Sequence, residues 1–206
     1  MTHITIGVPS GDLVPVDFAI ALSGLIAHSL ARGQLVELIN SRNSLLPRSR
    51  HRIVKAAIAQ GATHVLFLDS DMVFPRNALD VLLHAKREIV GCNYLTRQPP
   101  FKPTARDDDF TPIRLNASSG ISEVAYIATG CLLVTLKVFQ AIGTPYFDTR
   151  YLPAKDDWEG EDYHFCRRAR ELGYRIYCHH ELSERVGHIG QRTYHLDMLQ
   201  GPISAG

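Results

Sequence analysis

The chain has 206 residues, 45% hydrophobic and 21% charged, with 22 basic against 21 acidic residues and a net charge of +1. Such a length and composition suit one globular domain able to bury a full core. The balanced charge gives no general drive toward nucleic acid or an anionic membrane, leaving only a local basic patch open.

In chain order, residues 4–8 form a short apolar strand, broken by Pro9-Ser10-Gly11, which starts a turn. Residues 18–31 carry a helical pattern, with Phe18, Leu22, Leu25 and Ile26 at helix spacing and Gly33 as the stop. Residues 35–39 predict a second strand. Residues 50–60 predict a helix with Ile53, Val54, Ala57 and Ile58 on one face and Gly61 beyond its end. Val65 to Leu68 is a run of four apolar residues, the mark of a fully buried strand. A helix over 76–86 and a strand over 88–92 follow. This strand–helix alternation predicts an α/β fold with a mostly parallel central sheet, because parallel neighbours need crossover helices.

The rhythm then changes. Residues 96–122 are rich in Pro, Asp, Arg and Ser, and loops of that length inside a domain are usually functional or disordered. Strands are expected at 123–128 and 132–135, and a short helix at 136–142. A second irregular stretch follows at 144–160, then a helix at 161–172 stopped by Gly173 and a strand at 174–178. Beyond about Gln191 a surface tail is expected.

Cys92, Cys131, Cys166 and Cys178 are widely spaced and form no C-x-x-C pair, so they read as free thiols of a reducing compartment. The N-terminus lacks the basic region and apolar core of a signal peptide. The most apolar stretch, 18–30, is interrupted by Ser23, Gly24 and His28 and is too short to span a bilayer. A soluble cytoplasmic protein is the expectation.

Chemistry concentrates in four places. At the end of the buried strand, Asp69-Ser70-Asp71 reaches the crevice where open α/β sheets collect ligands. Two carboxylates there can hold Mg²⁺ or Mn²⁺ against a diphosphate; the competing structural reading is turn or helix capping. Asp107-Asp108-Asp109 also satisfies D-x-D but sits in a polar stretch and reads as solvated surface. Glu161 and Asp162 open a helix, where the macrodipole favours negative charge; capping chemistry competes with a role for Asp162 as general base and Glu161 as acceptor ligand. His188, between Gly187 and Gly190, is the imidazole to place at the metal, which would tilt preference toward Mn²⁺. Arg48, Arg50 and Arg52 surround the start of the second helix, and guanidinium forks and helix N-termini both suit phosphate, although a solvated basic turn is about as good a reading. Tyr94 and Arg97 can likewise touch a bound sugar or pyrophosphate.

The ordered set His64-Val-Leu-Phe-Leu-Asp-Ser-Asp-Met-Val-Phe-Pro75, Ala128-Thr-Gly-Cys-Leu-Leu-Val134, Gly160-Glu-Asp-Tyr-His-Phe-Cys166 and Gly187-His-Ile-Gly190 resembles a GT-A glycosyltransferase, related to the inverting family 2 type. The resemblance implies a Rossmann-like GT-A fold with a small antiparallel element in the acceptor half. It also implies transfer of a single sugar from a nucleoside-diphosphate donor, a UDP-sugar by preference, to an acceptor hydroxyl with inversion. It divides the 206 residues, as one domain, into a nucleotide-sugar half (about 1–95) and an acceptor half (about 96–190). Asp69, Asp71 and His188 would hold Mn²⁺ or Mg²⁺, Asp162 would be the base, and Pro9, Ser10, Asn40, Arg48, Arg52, Ser70 and Tyr94 would line the donor.

The pattern departs from many relatives after the second strand. An Asp that reads uracil is replaced there by Ile39-Asn-Ser-Arg-Asn43, with Asn40 as the substitute. No Gln/Arg-x-x-Arg-Trp element of processive synthases follows Asp162. The segments 96–122 and 144–160 would cover the donor and shape the acceptor pocket, with Trp158 and Tyr146 as sugar-stacking platforms. The acceptor stays open among glycan, lipid-linked sugar, protein and modified nucleic-acid base. Two rival readings remain. A haloacid-dehalogenase-like phosphatase would use Asp69 as nucleophile and Asp156-Asp157 as a late acidic pair. A non-catalytic sugar-nucleotide or glycan-binding module would keep the fold without turnover.

Overall fold

A computed structural model describes residues 2–97, 99–114, 120–154 and 156–190. The surface tail expected after Gln191 lies outside the described residues. Five strands run in one direction: β1 (His3–Ser10), β2 (Leu35–Arg42), β3 (His64–Leu68), β5 (Ile89–Gly91) and β10 (Ile176–His179). Two oppose them, β6 (Ile121–Val124) at one edge and β7 (Cys131–Thr135) between β3 and β5. The resulting seven-stranded sheet has the order β2-β1-β3-β7-β5-β10-β6 and is mostly parallel.

Helices cover both faces. Along β3, Val65 and Phe67 point to one core, with α2 (Leu46–Ala59), α4 (Leu136–Ile142) and α5 (Glu161–Glu171). Leu66 and Leu68 point to the other, with α1 (Val16–Ala31), α3 (Ala78–His84) and α6 (His180–Ser183). The side-chain period of two in a strand makes a continuous apolar run serve both layers. α2 sits so close to β1 that the Ile53 side chain fills the space a Cβ on Gly7 would need.

The other differences from expectation are local. The second helix begins at Leu46 with Pro in its first turn, four residues before the expected start at 50. The stretch 144–160, expected to be irregular, contains an antiparallel hairpin of β8 (Arg150–Leu152) and β9 (Asp157–Glu159). A second small ribbon pairs β4 (Met72–Val73) with β11 (Gly187–His188). Among the described residues, no helix is long and apolar enough to cross a membrane.

Candidate active site at the carboxyl edge of the sheet

β3 ends at Leu68, and the chain turns at once, the Met72 amide donating to the Asp69 carbonyl at 3.1 Å. The turn exposes Asp69, Ser70 and Asp71 at the carboxyl edge and feeds β4. Pairing with β11 then sets His188 opposite Met72, and the Ile189 amide donates to the Asp71 carbonyl at 2.7 Å. Gly187 permits the approach, since a Cβ there would lie 2.8 Å from the Val73 side chain. The ribbon thus carries His188 to Asp71, with Nε2 3.4 Å from Oδ2. His188 Nδ1 donates to the Leu95 carbonyl at 3.0 Å, which leaves Nε2 facing the carboxylate.

Arg97 lies 2.7 Å from the same Asp71 oxygen. Burial alone would raise the Asp71 pKa, but the hydrogen bond and charge of His188 and the charge of Arg97 outweigh it and hold it below the ordinary value. Burial opposes protonation of His188, yet the bonds to Asp71 and the Leu95 carbonyl prevail and raise its pKa.

Asp69 faces the other way. Arg50 donates from Nη2 to both its carboxylate oxygens, at 2.8 and 3.0 Å, and from Nη1 to Glu161 Oε1. Arg50 is only 2% exposed, the largest fully buried side chain among the described residues, and its Nε finds no partner there. One guanidinium therefore ties the end of β3 to the first turn of α5. Asp162, next in that turn, accepts from the Tyr163 amide at 2.8 Å. Burial raises its pKa, the nearby Asp69 adds to the rise, and Arg50 opposes both. Gly160 gives it room: a Cβ there would stand 3.0 Å from Asp162 Oδ1.

Of the residues singled out from sequence, Asp69, Ser70, Asp71, Pro9, Ser10, Arg97 and His188 line one cleft of about 380 Å³, together with Gly11, Asn43, Ser44 and Leu46. Glu161 and Asp162 join its Asp69 side through Arg50 and its charge. Among the described residues, no group of three or more His, Cys, Asp or Glu side chains stands ready to hold a metal ion. Of the anticipated ligands, Asp71 and His188 stand 3.4 Å apart, while Arg50 holds both oxygens of Asp69 and Arg97 one oxygen of Asp71. The pair Asp71 and His188 fits a divalent cation that completes its shell with water and phosphate oxygens, and the Arg97 guanidinium already marks the spot as one that attracts positive charge.

Ser10 and Gly11 also line a second groove of about 480 Å³, walled by Val8, Val14, Phe18, Leu22 and Leu38 and closed by Asn40, Asp12 and Arg42. The Asn40 amide is already spent on the Val8 carbonyl (3.0 Å) and Ser10 Oγ (2.7 Å), leaving its carbonyl oxygen for a ligand.

Three expected donor residues sit elsewhere. Arg48 and Arg52 are exposed and line neither groove, because helix phase turns them away from the apolar face. Arg50 lies on that face, three and four residues before Ile53 and Val54, and the phase of the predicted helix was the signal for it. Tyr94 is buried and forms the wall behind the site. Its ring meets the His188 ring edge-on at 5.3 Å, and its hydroxyl accepts from the Gly130 amide at 2.9 Å. The Gly130 carbonyl in turn accepts from the Asp69 amide at 3.1 Å, and Tyr94 fills the space a side chain at 130 would need. Burial, then the charges of Asp69 and Asp162, pushes the Tyr94 phenol well above its ordinary pKa. Tyr146 stacks on His51 at 5.0 Å, so that face is used within the protein. Trp158 is 65% exposed on the β8–β9 hairpin beside Tyr151.

No protein-family model matches the chain, and no curated protein does. Solved structures match over most of its length. A197 from STIV superposes with a TM-score of 0.58 at 14% identity over 95% of this chain and 100% of that one. A mutant Drosophila β1,4-galactosyltransferase 7, in complex with manganese, UDP-Gal and xylobiose, gives 0.56 at 12% identity over 96% of this chain and 78% of that one. The fold is that of the GT-A glycosyltransferases. The catalytic domain of the same Drosophila enzyme with xylobiose gives 0.51 at 14% identity over 85% of this chain, which spans 64% of that domain.

Proposed function

We propose that the protein is a glycosyltransferase that moves one sugar from a nucleoside-diphosphate donor, most simply a UDP-sugar, to an acceptor hydroxyl with inversion. The observation that carries this is the meeting at one sheet edge of Asp71, His188 and Arg97 with the Arg50-linked carboxylates Asp69, Glu161 and Asp162. The apolar groove beside Asn40 suits a nucleoside, and the polar cleft it meets at Ser10 and Gly11 suits a diphosphate. A Drosophila neighbour of the same fold was crystallised with manganese and UDP-Gal, which supports that choice of cation and donor.

Asp71 and His188 would hold Mn²⁺ or Mg²⁺, with Asp69 free to join only if it leaves Arg50. The cation, when bound, supplies Lewis-acid stabilisation to the departing nucleoside diphosphate. Arg97 adds a guanidinium fork to the same phosphates. Asp162 accepts the proton of the acceptor hydroxyl, a role its raised pKa suits because a base works best with a pKa near the operating pH. Glu161, held by Arg50, fixes the helix turn from which Asp162 projects. Trp158 presents an aromatic face for an acceptor sugar.

Thermal shift with a panel of nucleotide sugars, with and without Mn²⁺, tests the donor half: a UDP-sugar should stabilise the protein only when the cation is present. Asp162→Asn should cripple transfer while donor affinity by calorimetry stays unchanged; equal loss of both would remove Asp162 from the role of base. The phosphatase reading gains nothing from the structure. Asp156 is bonded to Tyr151 and Asp157 to the Trp158 amide in the exposed hairpin.

A further inference from the structure

α1 is apolar on both faces. Its inner side places Phe18, Leu25 and Ser29 in the protein, as any covering helix must. Its outer side, an arc of about 120° at 100° per residue, presents Val16, Ala19, Ile20, Ser23, Ala27, Leu30 and Ala31, all exposed. Val16, Ile20 and Leu30 are 71%, 66% and 57% exposed. Asp17 is the single acidic or basic (Lys/Arg) residue in all sixteen positions, and the one histidine, His28, is bonded to Asp80. The other long helices are built differently: α2 turns Arg48, Arg52 and Lys55 outward, and α5 carries Arg167, Arg168, Arg170 and Glu171. A helix apolar all round is ordinarily buried on both sides. Leu13 and Val14, exposed in the segment leading into α1, extend the patch at its N-terminal end.

We propose that this face binds a second copy of the chain, α1 packing antiparallel against its counterpart about a two-fold axis near Ser23 and Gly24. Three observations select that occupant. The face alternates large and small residues so that an antiparallel copy sets Val16 against Ala31 and Ile20 against Ala27, the large-to-small match that close packing requires. The same register brings Asp17 beside Arg32 of the other copy. Arg32 is 62% exposed and, at 3.8 Å from Asp80, only loosely engaged at home. Antiparallel packing also sets each helix N-terminus beside the partner's C-terminus, as the macrodipoles favour. An isologous contact of this kind closes on itself and leaves no open surface to propagate.

Its size sets its strength. A sixteen-residue helix is about 24 Å long and 10–12 Å wide. Both copies together therefore give a footprint on the order of 600 Å², more with Leu13 and Val14, below the roughly 1,200 Å² of stable complexes. The dimer is accordingly weak and concentration-dependent.

Sedimentation velocity of the full chain from about 5 to 500 μM tests it. The weight-average sedimentation coefficient should climb from the monomer value toward the dimer. Ile20→Glu and Ala27→Glu should each move the midpoint up at least about tenfold, with unchanged circular dichroism showing that the fold survives. Asp17→Arg should weaken association, and adding Arg32→Asp should restore it. A monomer at every concentration, a dimer indifferent to Ile20→Glu and Ala27→Glu, or failure of the charge swap to restore association would each overturn the proposal. So would a monomer that sediments with phosphatidylcholine–phosphatidylglycerol vesicles through the same residues, since the face would then belong to a membrane. Asp17, Ile20, Ala27 and Arg32 line neither groove, so UDP-sugar binding is expected to be equal in all these variants, and failure of the donor reading would leave the outcome here unaffected.

Discussion

Two aspartate runs in this chain share one sequence pattern and differ in everything around it. Asp69-Ser70-Asp71 is delivered by a buried strand, stays half-buried, and is met by Arg50, Arg97 and His188. Asp107-Asp108-Asp109 lies in an exposed turn, where Asp107 bonds the Thr111 amide and Asp108 pairs with Arg170. The first run holds its charges in a place where water screens them poorly; the second is solvated. The lesson is that the pattern D-x-D carries little chemistry by itself. What matters is which cations the fold brings to it and how much water is left beside it.

The comparison breaks hardest at Arg50. Arg50→Met should cost about 3–5 kcal/mol, because it strands Asp69 and Glu161 as buried charges without a partner; denaturant unfolding measures it. Neutralising Arg170, which faces Asp108, should change stability by no more than about 0.5 kcal/mol. Next comes Asp71→Ala: if Asp71 holds the cation as proposed, transfer should fall by about 10²–10³-fold with the melting temperature nearly unchanged, the loss of a charge worth several kcal/mol.

The pH dependence sharpens the same contrast. In the role proposed for it Asp162 must be deprotonated to accept a proton, and its pKa is raised. Transfer should therefore fall as pH drops through a value above the ordinary aspartate pKa of about 3.9. If Arg50→Met folds, its acid limb should move further up, because the cation opposing the rise is gone. The smallest effect is expected at the control: Asp108→Asn should leave transfer unchanged and stability within about 0.5 kcal/mol.

Much of this contrast could be seen in the residues before any coordinates. Val65 to Leu68 announces burial because no water-facing residue interrupts it, and the polar stretch around Asp107 announces solvent. The alternation of strands and helices gives the parallel framework for a similar reason. Strand partners are different. β7 reads as a strand from its apolar run, but nothing in Cys131 to Thr135 says that it enters antiparallel between β3 and β5, since both its faces are buried either way. The β8–β9 hairpin hides because its strands are three residues long and expose Tyr151 and Trp158, leaving no alternation to detect. Arg50 was legible and easily passed over. Charge draws attention to Arg48 and Arg52 equally, and only the phase of α2 separates the one that turns inward.

The peptide unit of Gly130 has a consequence for how this protein can change. Its carbonyl anchors Asp69 and its amide anchors the tyrosine that backs His188, so one residue without a side chain braces both flanks of the polar cleft. If the neighbouring groove holds the donor as proposed, laboratory evolution toward new donors should leave position 130 untouched and accumulate its changes around Leu38 and Asn40, where that groove can be recut without loosening the brace.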